Sequence, residues 1–283
     1  MLGIIGGTGI YELEGLKIIQ KHQVDTPFGK ASGDIIEGEI ANNKIFFLAR
    51  HGTGHKLLPH EINYQANIYA LKKLGVKQII AFSAVGSLNI DIAPSDFAIA
   101  SQYFDFVKNG DREKSFFGNG IAAHISTAQP VCTELQDFIA KTAKELDFKI
   151  HVDKTYACVD GPRLGTKAES LFLKDSVKAD LVGMTNVPEV FLANEAQINY
   201  CTIGIVTDYD CWQDDTNLHV TLQQVISRYG ESLAKAKVLL NKILEQNLPP
   251  INTDKRCKLK NSLLTPIESL DKKQKEFMEV LLA

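Results

Sequence analysis

Short apolar segments alternate with helical patterns along most of this chain. The apolar segments are rich in β-branched residues, which is typical of buried strands. Strands are predicted at residues 44–48, 78–83, 97–101, 156–159, 181–184 and 200–207. This alternation predicts one α/β domain, a mixed β-sheet flanked by helices, with ligands bound at the carboxyl ends of strands.

Four helix starts are indicated by a capping pair, in which a hydroxyl or amide side chain precedes Glu or Gln by three residues. Side chains at this spacing can bond the first free amides of a helix. The pairs are Thr133 with Gln136, Thr166 with Glu169, Asn186 with Glu189, and Thr221 with Gln224. Helices are therefore predicted to begin at these four places.

The pattern changes near residue 246, where two prolines and a basic cluster precede a final amphipathic segment. We divide the chain into an α/β domain, residues 1–246, and a linker with a C-terminal helix, residues 247–283. Residues 271–282 form too short a helix to be stable alone, so they must pack on their own domain or on a neighbouring subunit. The basic cluster, Lys255, Arg256, Lys258 and Lys260, is expected to be a solvated surface.

Composition excludes several classes of partner. A net charge of −3 gives no broad basic field for nucleic acid or an anionic membrane, and no apolar run reaches the ~18–20 residues of a membrane span. The five cysteines are scattered, odd in number and free of Cys-x-x-Cys pairs, so we expect buried thiols without disulfides or a zinc site. Because no signal-like segment starts the chain, a cytoplasmic location is expected.

Two carboxylates follow the last predicted strand. Residues two apart in a strand share a face, so Asp208 and Asp210 should point in the same direction. Neighbouring carboxylates repel each other and lose hydration, which tends to raise the pKa of one of them toward neutrality. Such an acid can hand a proton to a weakly basic ring nitrogen. The alternative is a solvated turn that carries two acids.

A glycine-rich turn that contains Thr8 follows the first strand. Glycines let backbone amides approach an anion closely, and Thr8 adds a hydroxyl donor. The alternative is the dinucleotide-binding turn of a nicotinamide-dependent oxidoreductase, which needs an acidic residue at a second strand end about 20 residues later. Asp25 lies near that distance, but its neighbours indicate a turn, so we favour the anion site.

Three more strand ends carry donors for an anion. Arg50 follows the strand at 44–48 and can present its planar guanidinium to phosphate, with a structural ion pair as the alternative. Ser83 ends the next strand, and Thr185 follows the strand at 181–184. Donors for an oxyanion beside paired acids suggest that a group is transferred to phosphate.

Ordered motifs extend this pattern over the whole chain. They are IIGGTG at 4–9, VDTPFGK at 24–30, ARHG at 49–52, NYQAN at 63–67, GSL at 86–88, GPR at 161–163, MT at 184–185, VPEV at 187–190 and TDYDCW at 207–212. With them the chain resembles the S-methyl-5′-thioadenosine phosphorylase family, in the trimeric purine nucleoside phosphorylase group. The resemblance implies a purine nucleoside phosphorylase-like fold and a homotrimer.

The resemblance also implies a set of site residues. Phosphate would be held by Thr8, Arg50, His51, Ser83, Ala84 and Thr185. Met184 would face the ribose, Asp208 and Asp210 would act on the purine, and Leu222 and Val225 would line the apolar subsite for the 5′ substituent. His124 and Leu281 would reach the site from a neighbouring subunit, where Leu281 helps to cover the methylthio group.

The implied reaction is reversible phosphorolysis of 5′-methylthioadenosine, which gives adenine and 5-methylthioribose 1-phosphate in purine and methionine salvage. Asp208 would donate the proton to the purine, and inorganic phosphate would be the co-substrate without a metal or an organic cofactor. Removal of residues 271–283 would then impair the cleavage of methylthioadenosine more than that of adenosine.

Three positions depart from the family pattern. Leu164 and Gly165 stand where adenine-specific members have phenylalanine and serine, and Ser83 replaces a threonine while keeping the hydroxyl. The nearest alternative is therefore a 6-oxopurine nucleoside phosphorylase that acts on methylthioinosine or inosine. An enzyme for nucleosides with a 5′-hydroxyl group would be expected to have a histidine near Leu222, and His219 leaves such a nucleoside as a further alternative substrate. A non-catalytic nucleoside-binding module is the remaining alternative.

Overall fold

A computed structural model describes residues 1–7, 15–41, 43–213, 222–251 and 259–283, with side chains undescribed at 222–229 and 231. The strands are β1 (Leu2–Gly6), β2 (Lys17–His22), β3 (Ile35–Ile40), β4 (Asn43–Ala49), β5 (Gln78–Ser87), β6 (Phe97–Phe106), β7 (Ile150–Val159), β8 (Leu181–Gly183) and β9 (Asn199–Tyr209). The helices are α1 (Tyr64–Lys73), α2 (Thr133–Glu145), α3 (Lys167–Leu171), α4 (Asn186–Glu195), α5 (Leu222–Leu244) and α6 (Lys272–Leu282). None of these helices is both long and apolar enough to span a membrane.

The strands form one mixed sheet in the order β2-β3-β4-β1-β5-β8-β7-β6-β9, and β5 also pairs with β9. Strand β5 thus has three neighbours, β1, β8 and β9. Because β9 pairs with both β5 and β6, the strands β5, β8, β7, β6 and β9 close into a ring. The predicted α/β fold with a mixed sheet is confirmed, and β5 is its central element.

Both faces of the central strands are buried, which explains why these strands read as continuous apolar runs. Along β5, Ile79 and Ala81 belong to one core together with residues of α1, α4 and α6. Ile80 and Phe82 belong to a second core together with residues of α2 and α5. The alternation of side chains along the strand therefore supplies two hydrophobic layers at once.

All six predicted strands are present, and most are longer than predicted. Strand β5 continues past Ser83 to Ser87, because its last residues pair with β8 and β9. The sequence pattern missed β2 and β3. Strand β2 is exposed along most of its length, and β3 buries Glu37, which pairs with His22 and Lys44.

One predicted capping pair is confirmed. Thr166 and Glu169 form a reciprocal capping box at the start of α3. Helix α2 begins at Thr133 as predicted, but its capping pair is absent, because the helix has no side-chain cap and Gln136 bonds Asp153. Helix α4 likewise begins at Asn186 as predicted, but the Glu189 carboxylate pairs with an arginine instead of capping the helix. The pair that begins at Thr221 lies outside the described residues.

The C-terminal helix α6 packs on its own chain. Asp271 caps it in a capping box, and the Phe277 ring stacks on Tyr69 of α1 at 5.8 Å between centroids. Met278 and Leu281 are buried in the core, and the Gln197 side chain donates to the Leu281 carbonyl at 3.1 Å. Leu281 is completely shielded from solvent, so this structure places it in a core and does not expose it to a pocket. Of the basic cluster, only Lys260 is among the described residues.

Truncation of Leu281 should therefore lower the stability of the subunit. Leu281→Ala leaves a cavity in the core and should reduce the free energy of unfolding by about 2–5 kcal/mol. Leu264→Ala is the matched control, because that side chain is 65% exposed and its loss should change stability by less than about 0.5 kcal/mol. Urea unfolding measures both. Equal stabilities of the two variants would contradict the packing of α6 on its own domain.

Candidate active site

Most of the predicted site residues meet around the far end of β5. Arg50 follows β4, Thr185 follows β8, and Asp208 lies on β9. Strands β8 and β9 pair with β5, and only β1 separates β4 from β5. Ala84 is the one exposed residue of β5, although β9 pairs with it along that strand. An exposed position in the middle of a central strand indicates a cleft that reaches the sheet.

Arg50 forms a buried bidentate ion pair. Its Nε and Nη2 donate to the Glu189 carboxylate at 2.7 and 2.8 Å, and its Nη1 donates to the Phe82 carbonyl at 2.8 Å. Burial acts to lower the pKa of Arg50, but the Glu189 carboxylate raises it above its ordinary value, so the guanidinium stays charged. These bonds use three of the five guanidinium N–H groups, and two remain for an anion.

Glu189 is held by a second donor. The Tyr200 hydroxyl donates to Glu189 Oε1 at 2.7 Å and accepts from Asn186 and Thr202 at 3.0 and 2.9 Å. Glu189, Asn186 and Tyr200 are at most 1% exposed. The network joins the end of β4 to α4 and β9, so the position of Arg50 depends on all three elements.

Ser83 and Thr185 bring two buried hydroxyls together. Their oxygens lie 3.2 Å apart, and the Ser83 hydroxyl also contacts the Ala84 carbonyl at 3.4 Å. Both distances exceed the 2.7–2.8 Å that is usual for a hydroxyl hydrogen bond. The two hydroxyls are therefore only weakly bonded, and they can turn toward an anion at little cost.

His51 is neutral in this structure. Its Nδ1 lies 2.8 Å from the Leu57 carbonyl, and because a carbonyl only accepts, Nδ1 carries the proton. The ring stacks on His55 at 4.1 Å, and burial lowers the pKa of His51 to about 4. The remaining nitrogen, Nε2, is consequently a hydrogen-bond acceptor near neutral pH.

Asp208 and Asp210 lie on the same side of Gly86, as residues two apart in a strand should. A side chain at Gly86 would come within 3.2 Å of Asp208 Oδ2 and 3.4 Å of Asp210 Cβ. Asp208 is 8% exposed, and the Thr207 hydroxyl contacts its carboxylate at 2.5 Å. Next to this pair, the Cys211 thiol donates to the Gly165 carbonyl at 3.4 Å. The segment that follows the GPR motif therefore lies beside the end of β9.

Met184 is held by Gly161 and by Arg112, and the sequence pattern did not predict the role of Arg112. Gly161, at a φ of +70°, packs so closely that a side chain there would lie 2.5 Å from Met184 Sδ. Arg112 donates to the carbonyls of Met184 and Val187 at 2.9 and 3.0 Å, and to that of Asp160 at 3.1 Å. Arg112 stands in a polar loop, where an arginine is usually solvated, so the sequence carried no signal for this role.

The other predicted site residues are not placed with this group. Thr8 and His219 lie outside the described residues, and Leu222 and Val225 are on α5 where side chains are not described. His124 is exposed, and its backbone amide donates to the Ser262 carbonyl ahead of α6. Among the described residues, no cluster of three His, Cys, Asp or Glu side chains could hold a metal ion.

The chain offers a matched test of the Arg50–Glu189 pair, because an exposed bidentate pair joins Arg163 to Glu169 at 2.7 and 2.8 Å. Glu189→Gln removes the buried countercharge of Arg50 and should lower the free energy of unfolding by about 3–5 kcal/mol. Glu169→Gln keeps the cap of α3 and should change stability little, because an exposed pair is screened by water. Urea unfolding measures the loss of stability in the two variants. Equally small losses of unfolding free energy would show that Glu189 does not hold Arg50.

Comparison with known proteins shows the family of this chain. A model of the phosphorylase superfamily matches residues 1–245. The S-methyl-5′-thioadenosine phosphorylases of Hyperthermus butylicus and Saccharolobus solfataricus are 45% and 46% identical to this chain over 266 residues, which is 94% of this chain and 95% and 96% of theirs.

Solved structures share the fold over nearly the same length. A methylthioadenosine phosphorylase from an antarctic soil metagenomic library has a TM-score of 0.92 at 37% identity, covering 100% of this chain and 98% of that one. The methylthioadenosine phosphorylase of Schistosoma mansoni in complex with adenine has a TM-score of 0.85 at 31% identity, covering 93% and 98%. The resemblance inferred from the motifs is confirmed, and the chain belongs to the phosphorylase superfamily.

Proposed function

We propose that this protein catalyses the reversible phosphorolysis of 5′-methylthioadenosine to adenine and 5-methylthioribose 1-phosphate. One observation carries the proposal: the anion donors and the paired carboxylates lie around the end of β5 that contains the exposed Ala84. The curated relatives named above supply the choice of nucleoside. Inorganic phosphate is the co-substrate in this proposal, and no metal or organic cofactor takes part.

Phosphate binds between β4, β5 and β8. Arg50 contributes its two remaining N–H groups, and Ser83 and Thr185 contribute hydroxyls that are weakly bonded without the anion. The Ala84 backbone and Thr8 complete the set by resemblance. Because His51 Nε2 is an acceptor, His51 would take a hydrogen bond from the P–OH of hydrogen phosphate instead of donating one.

The bond between sugar and base breaks ahead of nucleophilic attack. A cationic sugar then lies between the anionic phosphate and a purine that gains negative charge, so the phosphate stabilises the cation electrostatically. Met184 faces the ribose. Asp208 donates a proton to the purine ring nitrogen, and Asp210 accepts from the exocyclic amine of adenine. Gly165 offers no side chain to the base, so the two carboxylates carry the base selectivity.

Assembly and location complete the proposal. The family implies a homotrimer in the cytoplasm, in which His124 reaches the active site of a neighbouring subunit. His124 is exposed in the isolated chain, and it is therefore accessible to such a contact. By resemblance, Leu222 and Val225 would line the subsite for the methylthio group.

Cleavage of methylthioadenosine should depend on phosphate. Release of the purine base from methylthioadenosine is measured at increasing phosphate concentration, with and without sulfate as a competing tetrahedral anion. The same measurement is made for adenosine, methylthioinosine and inosine. The proposal expects saturation by phosphate, inhibition by sulfate and the highest kcat/KM for methylthioadenosine. Hydrolysis at full rate without phosphate would indicate a nucleosidase, and faster release of hypoxanthine would indicate the 6-oxopurine alternative.

Asp208→Asn tests the proton donor, because the amide keeps the shape of the side chain but has no acidic proton. The kcat for methylthioadenosine should fall about 10²–10⁴-fold, the usual contribution of a general acid. A nitrophenyl riboside, whose leaving group needs no protonation, should be affected much less by the same substitution. Equal losses on both substrates would show that Asp208 holds the substrate without donating a proton.

A further inference from the structure

Tyr156 occupies the space that a side chain at position 183 would need. It lies on β7, which pairs with β8, and it is completely buried. A Cβ at Gly183 would lie only 2.0 Å from the Tyr156 hydroxyl. Any residue other than glycine at 183 would therefore displace this hydroxyl. Gly183 also directly precedes Met184 and Thr185, so the phenol lies beneath the turn that carries two proposed substrate contacts.

The Tyr156 hydroxyl has no hydrogen-bond partner within the described part of the chain. A buried polar group without a partner is unfavourable, and such groups in folded proteins call for an explanation. A phenylalanine would fill the same space without this penalty. The hydroxyl is thus either an unused group or a donor whose acceptor becomes available only when a ligand binds.

Two polar groups lie close to the phenol. The Tyr156 hydroxyl packs against Gly183, two residues before Thr185, and Thr185 Oγ1 lies 3.2 Å from Ser83 Oγ. Burial raises the pKa of Tyr156, while the Ser83 side chain and the Thr185 backbone act against that increase. The phenol remains protonated near neutral pH, so it is a donor. Ser83 makes only long contacts, at 3.2 and 3.4 Å, and its oxygen has room to accept a hydrogen bond.

We propose that Tyr156 is a positioning residue of the phosphate site, which donates to Ser83 Oγ when phosphate is bound. The Ser83 hydroxyl then turns from the Ala84 carbonyl to the anion, and its oxygen accepts from Tyr156. The phenol does not touch the substrate, and it acts through Ser83. This inference rests on the proposed phosphate site, but its test is independent of catalysis.

Tyr156→Phe removes only the hydroxyl, and Tyr103→Phe is its matched control. Tyr103 on β6 also has a buried hydroxyl without a partner among the described residues, and its ring centroid is 5.6 Å from that of Tyr156. Tyr156→Phe should raise the KM and the calorimetric Kd for phosphate about threefold to tenfold, the net effect of one hydrogen bond. The KM for the nucleoside should stay the same, and Tyr103→Phe should leave both constants unchanged.

A double-mutant cycle separates this role from a structural one. In a Ser83→Ala background, Tyr156→Phe should have no further effect on phosphate affinity, because the acceptor of its hydrogen bond is gone. An unchanged phosphate Kd in Tyr156→Phe, or an equal increase in Tyr103→Phe, would overturn the proposal. If the wild-type protein binds phosphate but cleaves no nucleoside, the proposed function fails, and the comparison of phosphate Kd still decides the role of Tyr156.

Discussion

The guanidinium of Arg50 is charged although the residue is only 2% exposed. A buried charge of this kind is stable only beside a partner of opposite charge, and this constraint organises the centre of the molecule. Arg50 follows the end of β4, and Glu189 belongs to α4. Because Tyr200 of β9 holds the same carboxylate, the pair fixes β4, α4 and β9 relative to one another. A phosphate site built on this pair is preorganised, since the guanidinium does not have to be ordered or desolvated when the anion arrives.

Local patterns predicted much of the fold and of the site. The apolar runs indicated six of the strands, and the spacing of Asp208 and Asp210 indicated a shared face beside β5. These predictions succeeded because they depend on neighbours in sequence. The edge strand β2 and its neighbour β3 were missed because they mix polar and apolar residues, and their pairing with the rest of the sheet decides their conformation.

Contacts between distant residues could not be predicted in this way. Glu189 stands three residues after Asn186, which is the spacing of a capping pair, yet it bonds a guanidinium 139 residues away. Arg112 lies in a polar loop, although it binds three backbone carbonyls around Met184. In both cases the partners of a charged side chain are buried charges or carbonyls from distant parts of the chain. A local sequence pattern contains no information about these partners.

Missing side chains shape this site as much as present ones do. Gly86 leaves room for Asp208 and Asp210, Gly161 leaves room for Met184, and Gly183 leaves room for Tyr156. Each glycine serves a different part of the proposed substrate, namely the base, the ribose and the phosphate. A methyl group at any of the three would press on the side chain that it faces, so the close approach of bare backbone positions the polar groups. The ring formed by β5, β8, β7, β6 and β9 supplies two of these neighbours, because Gly86 on β5 faces Asp208 on the paired strand β9, and Gly183 on β8 faces Tyr156 on the paired strand β7.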